Sequence, residues 1–394
     1  MTSDPRSASP RPASLGPCTL SVHGGEDASR PGLGGTIERS STFRLDAPAM
    51  RAMAEGRFRD ALIYSRLSNP SMAAVESRLA AIEGAEEALL FASGMGAIHA
   101  ALVTCLTLSE GEAPLRICAS RDLYGGTRDL LTNGLAPLGI VTDWVDLTRA
   151  GDWERALERK PCIVYAESLS NPLLRVVDLP RIAEAAHRVG AKVIVDATFA
   201  TPLGQRPLDL GCDLVCHSTT KYLGGHSDFV GGAVCGSRAL TDEVWRARVR
   251  YGANADPEAA DRLDRGLKTL ALRYRAHEKG ALAVAQFLSE HPAVRRVWHP
   301  SFTAGPHAHP DAELAGRVLQ SFGGMLAFEL DVDDAQATQV AVRMLGELHL
   351  FGIAASLGGV ESLICLPETT SHAALTPEQR LEFGLRPGLI RVSV

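Results

Sequence analysis

The chain has 394 residues, 45% hydrophobic and 22% charged, the balance of a soluble globular protein with room for two domains. Its 40 basic and 46 acidic side chains leave a formal net charge of −6, without the basic excess that would grip nucleic-acid phosphates. No apolar run approaches the roughly 18 residues that span a bilayer, and residues 1–17 lack the apolar stretch of a secretory signal. That segment is expected to be a disordered tail on a cytoplasmic protein that binds neither nucleic acid nor membrane. The eight cysteines include no C-x-x-C pair. Cys118, Cys162, Cys216 and Cys235 sit in apolar runs, where they act as small hydrophobes, and no structural metal is expected.

Taken in chain order, residues 87–92 read as a strand that runs into Ser93-Gly94-Met95-Gly96 and a helix through residue 102. Glycines opening a helix present free N–H groups to a phosphate, although a tight strand-to-helix turn would look the same. A second apolar run covers residues 115–119, followed by Asp122-Leu-Tyr124-Gly-Gly126. A tyrosine made accessible by flanking glycines can stack on a flat ring; alone, it is more often packing. Residues 162–166 form the next strand. Residues 179–189 place Ile182, Ala185, Ala186 and Val189 on one helical face, with Gly190 set to end the helix.

Residues 192–196 are a buried strand ending in Asp196, and residues 212–216 another, followed by His217-Ser218-Thr219-Thr220-Lys221. A carboxylate at a strand end stays ionised if it faces a cation, and is otherwise a plain helix cap. A lysine after a buried strand and three hydroxyl residues suits an amine attacking a carbonyl. Gly225-His-Ser-Asp228 is contiguous and cannot form a Ser–His–Asp relay, whose members come from separate segments.

Apolar strands separated by helices imply a mainly parallel sheet, which binds ligands beyond its carboxyl strand ends. From about residue 260 the pattern changes: residues 263–290 are one long charged helix, and residues 325–330 and 389–393 look like strands of a smaller α+β domain. His299, His307 and His309 lie among Pro and Gly and are expected in a solvated loop rather than on a metal. A phosphate cradle, a carboxylate, a Schiff-base lysine and a stacking aromatic on one rim form a set that pyridoxal phosphate (PLP) can use whole. No G-x-G-x-x-G turn speaks for a nicotinamide enzyme.

Ordered segments from about Val22 onward carry a closer resemblance. They are Tyr64-Ser-Arg-Leu-Ser-Asn-Pro70, Ser93-Gly-Met-Gly-Ala-Ile98, Tyr124-Gly-Gly-Thr127, Glu167-Ser-Leu-Ser-Asn-Pro172 and Val195-Asp-Ala-Thr-Phe-Ala-Thr-Pro202. They continue with His217-Ser-Thr-Thr-Lys-Tyr-Leu-Gly-Gly-His-Ser-Asp228, Arg265-Gly-Leu-Lys-Thr-Leu270, Ser356-Leu-Gly-Gly-Val-Glu-Ser362 and Ile390-Arg-Val-Ser393. The chain resembles the trans-sulfuration, or cystathionine γ-synthase-like, family of PLP enzymes.

The resemblance implies an α/β fold of type I, aspartate aminotransferase-like, with residues 18–70 as an arm toward a neighbouring subunit. Residues 71–265 would be the large PLP domain and residues 266–394 the smaller substrate domain. It further implies that Lys221 holds the cofactor aldehyde and shuttles protons, Asp196 pairs with the ring nitrogen, and Asn171 contacts the ring hydroxyl. Gly94, Met95, Ser218 and Thr220 would hold the phosphate. Tyr64 and Arg66 would reach the phosphate of the adjacent subunit in a dimer of dimers with shared active sites. Tyr124 would stack on the ring and act as acid toward the leaving group. Arg391 and Ser356 would fix the carboxylate of an amino-acid substrate.

Three departures matter. Ala197 stands where the family carries Asn. The chain stops at Val394, where relatives continue into a short helix. Ile63 and Ala355 are apolar where cystathionine-processing relatives commonly carry acids, and burying an ammonium there would be costly. The expected chemistry is γ-elimination or γ-replacement on methionine or an acylated homoserine, with cystathionine processing as the alternative. Gly126 occupies the position where methionine γ-lyases have cysteine. A PLP-holding protein with little turnover is the second class, since Ala197 removes a polar contact.

Overall fold

The computed structural model describes residues 15–25, 34–109 and 114–394. The expected disordered tail, residues 1–17, lies outside the described residues as far as residue 14, and a helix, Pro17–His23, begins at its end. Seven strands form one sheet: β1 Glu87–Phe91, β2 Arg116–Ser120, β3 Val141–Val145, β4 Ile163–Glu167, β5 Lys192–Asp196, β6 Leu214–His217 and β7 Gly232–Gly236. Their order is β1-β7-β6-β5-β4-β2-β3. A second sheet is ordered β10-β11-β12-β9-β8, from β8 Val294–Trp298, β9 Met325–Leu330, β10 Gly352–Ile353, β11 Leu363–Cys365 and β12 Ile390–Ser393. The chain divides into two compact units, Met1–Thr104 with Cys216–Ala271, and Cys105–Val215 with Leu272–Val394.

In the first unit, helix Pro70–Glu83 starts where the Asn69 side chain accepts the Ser71 N–H at 2.9 Å and proline opens the first turn. It stops at Gly84, whose φ of 74° costs glycine nothing. Strands β1 and β7 pair antiparallel from Glu87↔Gly236 to Phe91↔Gly232. Gly232 must lack a side chain, because a Cβ there would overlap the Ser93 carbonyl. Arg248, 1% exposed, donates to Glu76 at 2.6 Å and to the Leu90 carbonyl at 2.9 Å, and Glu76 supplies the opposite charge that a buried guanidinium requires.

In the second unit, β3, β2, β4 and β5 are all parallel neighbours. Every residue of β4 is buried, which explains the unbroken apolar runs in the sequence. Leu179, Ile182, Ala185 and Ala186 of helix Leu179–Arg188 pack on this sheet with Val164, Val193 and Val195. Each fully buried aliphatic contributes about 1.5–3 kcal/mol. The smaller sheet packs Leu326, Phe328, Ile390 and Val392 against Ala281, Ala285, Ala341 and Leu345 of its helices.

His299, His307 and His309 correct the solvated-loop expectation. His299 and His309 are 1% and 4% exposed. His309 donates to the Leu173 carbonyl at 3.0 Å, and the His307 ring accepts the Val297 N–H at 3.1 Å and donates to the Ser289 carbonyl at 3.0 Å. His299 lies edge-on to Phe302 and Phe322, and burial pushes its pKa down to about 4. These rings pin an irregular segment through their hydrogen bonds and ring contacts, so Pro and Gly marked irregular backbone rather than exposure. No group of His, Cys, Asp and Glu among the described residues is placed to hold a metal, and no helix among them is long and apolar enough to cross a membrane.

Candidate active site

In the first unit, β6 ends at His217, whose Nε2 meets Glu83 Oε2 at 2.8 Å with both side chains fully enclosed. The chain then turns tightly. The Thr219 N–H donates to the Gly231 carbonyl at 3.0 Å, and the Gly225 N–H to the Lys221 carbonyl at 2.8 Å. Lys221 is half-buried on this turn. The Thr220 hydroxyl is already engaged with Gly231, accepting its N–H at 3.0 Å and lying 3.2 Å from its carbonyl.

Ser93 caps helix Gly94–Leu108 by accepting the Gly96 N–H at 3.0 Å. A Cβ on Gly94 would come within 2.9 Å of the Ser218 Cβ, so two segments more than a hundred residues apart in sequence are pressed together. Gly94, Met95 and Ser218 thus share one neighbourhood. Tyr64 is 42% exposed, and the exposed Arg66 lies 5.8 Å from its ring while donating to the Val249 carbonyl at 2.7 Å. Ile63 beside them is half-buried.

In the second unit, the adjacent strands β4 and β5 end in paired carboxyls, Glu167 opposite Asp196. Asp196 Oδ1 accepts the Thr198 N–H at 2.9 Å, which aims the carboxylate through an Asx turn. Glu167, 7% exposed, accepts the main-chain N–H of Tyr124 at 2.5 Å and that of Asn171. Burial raises its pKa well above the usual carboxylate range; Asp196 adds to the rise, and the two N–H bonds oppose it. Tyr124 itself is 43% exposed and starts helix Gly125–Asp129. Gly125 is obligatory, since a Cβ there would overlap the Ser371 carbonyl.

Arg391, on β12 and 3% exposed, donates to Asn171 Oδ1 and to the Ser356 carbonyl, each at 3.1 Å. The sequence reading paired Arg391 with Ser356 and named Asn171 separately; the three form one cluster. Ser356 accepts the Arg391 bond through its carbonyl. His372 beside them is held near pKa 4, first by burial and then by Arg391 and Arg128. Ala197 is fully buried, whereas Ala355 is exposed. A cavity of about 370 Å³ lined by Arg121, Arg128, Trp144 and Phe383 includes none of the residues named from sequence.

Sequence reasoning singled out Asp196 at one strand end and passed over Glu167 at the next, although the same signal, a carboxylate closing an apolar run, was present. The donor sets fit PLP. A glycine-tight helix start against Ser218 suits a phosphate, and the buried Glu167 paired with the half-buried Asp196 calls for a cation such as a protonated ring nitrogen.

The sequence profile of the Cys/Met metabolism PLP-dependent enzyme family matches residues 18–394. The chain belongs to this family. It is 38% identical over 379 residues to the cystathionine γ-lyase of Bacillus subtilis, covering 95% of this chain and 94% of that one. It is 37% identical over 380 residues to the L-methionine γ-lyase of Porphyromonas gingivalis, with 95% and 92% covered. The crystal structure of cystathionine γ-synthase from Xanthomonas oryzae pv. oryzae, in complex with aminoacrylate and cysteine, superposes with a TM-score of 0.86. That match has 37% identity and covers 96% and 94% of the two chains. This member of the family is accordingly a PLP-dependent enzyme of sulfur amino-acid metabolism, of fold type I, with a large mostly parallel sheet and a smaller sheet domain.

Proposed function

We propose that the enzyme carries out γ-elimination or γ-replacement on methionine or an O-activated homoserine. The observation that carries this reading is Arg391. It is an enclosed guanidinium that donates to two neutral oxygens, and no carboxylate of the described residues lies within ion-pair distance of it. A buried positive charge in neutral company is costly unless an anion arrives, and the α-carboxylate of an amino acid supplies it in fork-shaped geometry.

In this reading Lys221 holds the cofactor aldehyde, Asp196 keeps the ring nitrogen protonated, Asn171 contacts the ring hydroxyl, and Gly94, Met95, Ser218 and Thr220 hold the phosphate. When bound, PLP supplies an electron sink for the charge left at the substrate Cα. The freed Lys221 amine takes the α proton and then a β proton. Tyr124, exposed enough to reach a substrate, protonates the departing γ substituent, and Arg391 with Ser356 anchors the carboxylate. Residues 18–70 serve as an arm toward a second subunit, with residues 71–265 for the cofactor and 266–394 for the substrate. The exposed pair Tyr64 and Arg66 completes the neighbour's phosphate site in a cytoplasmic dimer of dimers.

Ile63 and Ala355 favour an apolar distal group over the ammonium of cystathionine. Likeness to the B. subtilis cystathionine γ-lyase favours that substrate as a second reading. A panel of methionine, cystathionine, homocysteine, cysteine and acetyl- and succinyl-homoserine, with and without a thiol, decides. Release of 2-oxobutanoate from methionine or an acyl-homoserine is expected. Cystathionine as the sole good substrate would replace the first reading with the second, and a PLP-loaded protein inert to all of them would leave only cofactor binding. Ala355→Glu should raise use of cystathionine relative to methionine by about two- to tenfold, the modest gain of an exposed charge pair; an unmoved ratio refutes the pocket argument.

A further inference from the structure

We infer that Glu167 is a positioning residue, whose carboxyl ties the main chains of Tyr124 and Asn171 to the end of β4 and so sets where the acid and the ring-contacting amide stand. The inference deepens, and rests on, the proposed roles of Tyr124, Asn171 and Asp196.

The geometry is specific. Glu167 is the last residue of β4 and pairs in register with Asp196, the last residue of β5. Its side chain does not cap its own turn alone. It reaches a donor 43 positions earlier, the Tyr124 N–H, at 2.5 Å, and also accepts the Asn171 N–H four residues later. Helix Gly125–Asp129 has no side-chain cap from its own N-cap residue, so the Glu167 carboxyl is the described side-chain anchor of the backbone that carries Tyr124. The other end of the Asn171 attachment is the bond from Arg391 to its Oδ1, at 3.1 Å. A chain of bonds therefore runs from Tyr124 through Glu167 and Asn171 to Arg391, from the proposed acid to the proposed carboxylate anchor.

A carboxyl in this place is not explained by packing, because an apolar residue would fill the volume without the cost of burying an acid beside Asp196. What an apolar residue could not do is accept the two N–H groups, and a buried main-chain donor left without an acceptor shifts until it finds one. An accepting oxygen is needed, not a negative charge. Glutamine at this position should therefore keep much of the function that leucine loses.

The test compares Glu167→Leu, Glu167→Gln and wild type, alone and combined with Tyr124→Phe. The apo-proteins are titrated with PLP by quenching of tryptophan fluorescence, and the loaded enzymes are assayed for kcat and KM. Glu167→Leu should bind PLP about tenfold more weakly and lose about tenfold or more in kcat, while KM moves less than about threefold. Glu167→Gln should recover most of both losses. Because Glu167 acts through Tyr124, adding Glu167→Leu to Tyr124→Phe should cost far less kcat than it costs alone.

If Glu167→Leu equals wild type, if Gln is as damaged as Leu, or if the losses multiply with Tyr124→Phe, the positioning role is overturned. Should Glu167→Leu fail to fold by circular dichroism, Glu167→Ala read in the same way decides. A wild-type chain that takes up no PLP overturns the underlying assignment of the site and this inference with it. A wild type that takes it up, beside an unaffected Leu variant, overturns this inference alone.

Discussion

The two units each hold their candidate residues in place by different physics. In the first, Lys221, Ser218 and Gly94 are arranged by close approach: a Cβ at Gly94 would sit 2.9 Å from Ser218, and one at Gly266 would overlap the Gly224 carbonyl just past the lysine turn. Shape does the positioning there, and small residues are what shape demands. In the second, Tyr124, Asn171, Asp196 and Arg391 are arranged by charge and hydrogen bonds, two of which leave the Arg391 fork at 3.1 Å. Steric sites are intolerant of added atoms. Polar sites tolerate volume but not the loss of a partner.

Substitutions put this contrast to the test. The largest effect is expected from Lys221→Ala, which should remove the visible absorbance of the lysine-bound cofactor and lower kcat by about 10²–10⁴-fold or more while circular dichroism stays native. An unchanged spectrum would displace Lys221 from its role. Arg391→Lys keeps the charge but loses the fork, so KM for the amino acid should rise about 10- to 100-fold at nearly constant PLP affinity. A wild-type KM would mean that charge alone suffices in the second unit. Gly94→Ala adds one methyl in the first unit and should cost about 1–3 kcal/mol of stability, read as a lower Tm, together with weaker PLP binding. An unaltered variant would show that shape is not what holds that half.

The smallest effect concerns pH and Asp122. Burial, chiefly, lifts this carboxyl from an ordinary 3.8 to about 6. A raised carboxyl pKa means that the native state holds the proton more tightly than the unfolded chain does. That contribution is complete below about 3.8 and is lost as pH rises to about 6, up to about 3 kcal/mol. The Tm of the apo-protein should fall across this window relative to Asp122→Asn, whose side chain does not titrate. Parallel curves for the two proteins would mean that the acid is solvated.

Much of the fold could be read before the structure. The apolar runs at residues 162–166 and 192–196 match β4 and β5 to within a residue, because a strand buried on both faces cannot hide polar positions. Helix Leu179–Arg188 was legible from its period and from Gly190, whose φ of 82° marks its end. By contrast, β3, with partly exposed residues, and β7, rich in glycine, carried no clear pattern. The three histidines misled because composition reports irregular backbone and not burial.

The chain's letters alone determined the chemistry on offer: an amine after β6, a carboxylate at the end of β5, an accessible tyrosine, and glycines opening a helix. They could do so because each is local, a residue type placed at the end of a strand whose period is itself local. Which of these groups hold one another was decided only in three dimensions. Arg391 bonds to Asn171 across 220 positions, and Glu167 to Tyr124 across 43, and no short-range pattern encodes a partner so far along the chain. Strand order and burial create those pairs, since they alone set which strand ends adjoin and which polar groups must find each other out of water.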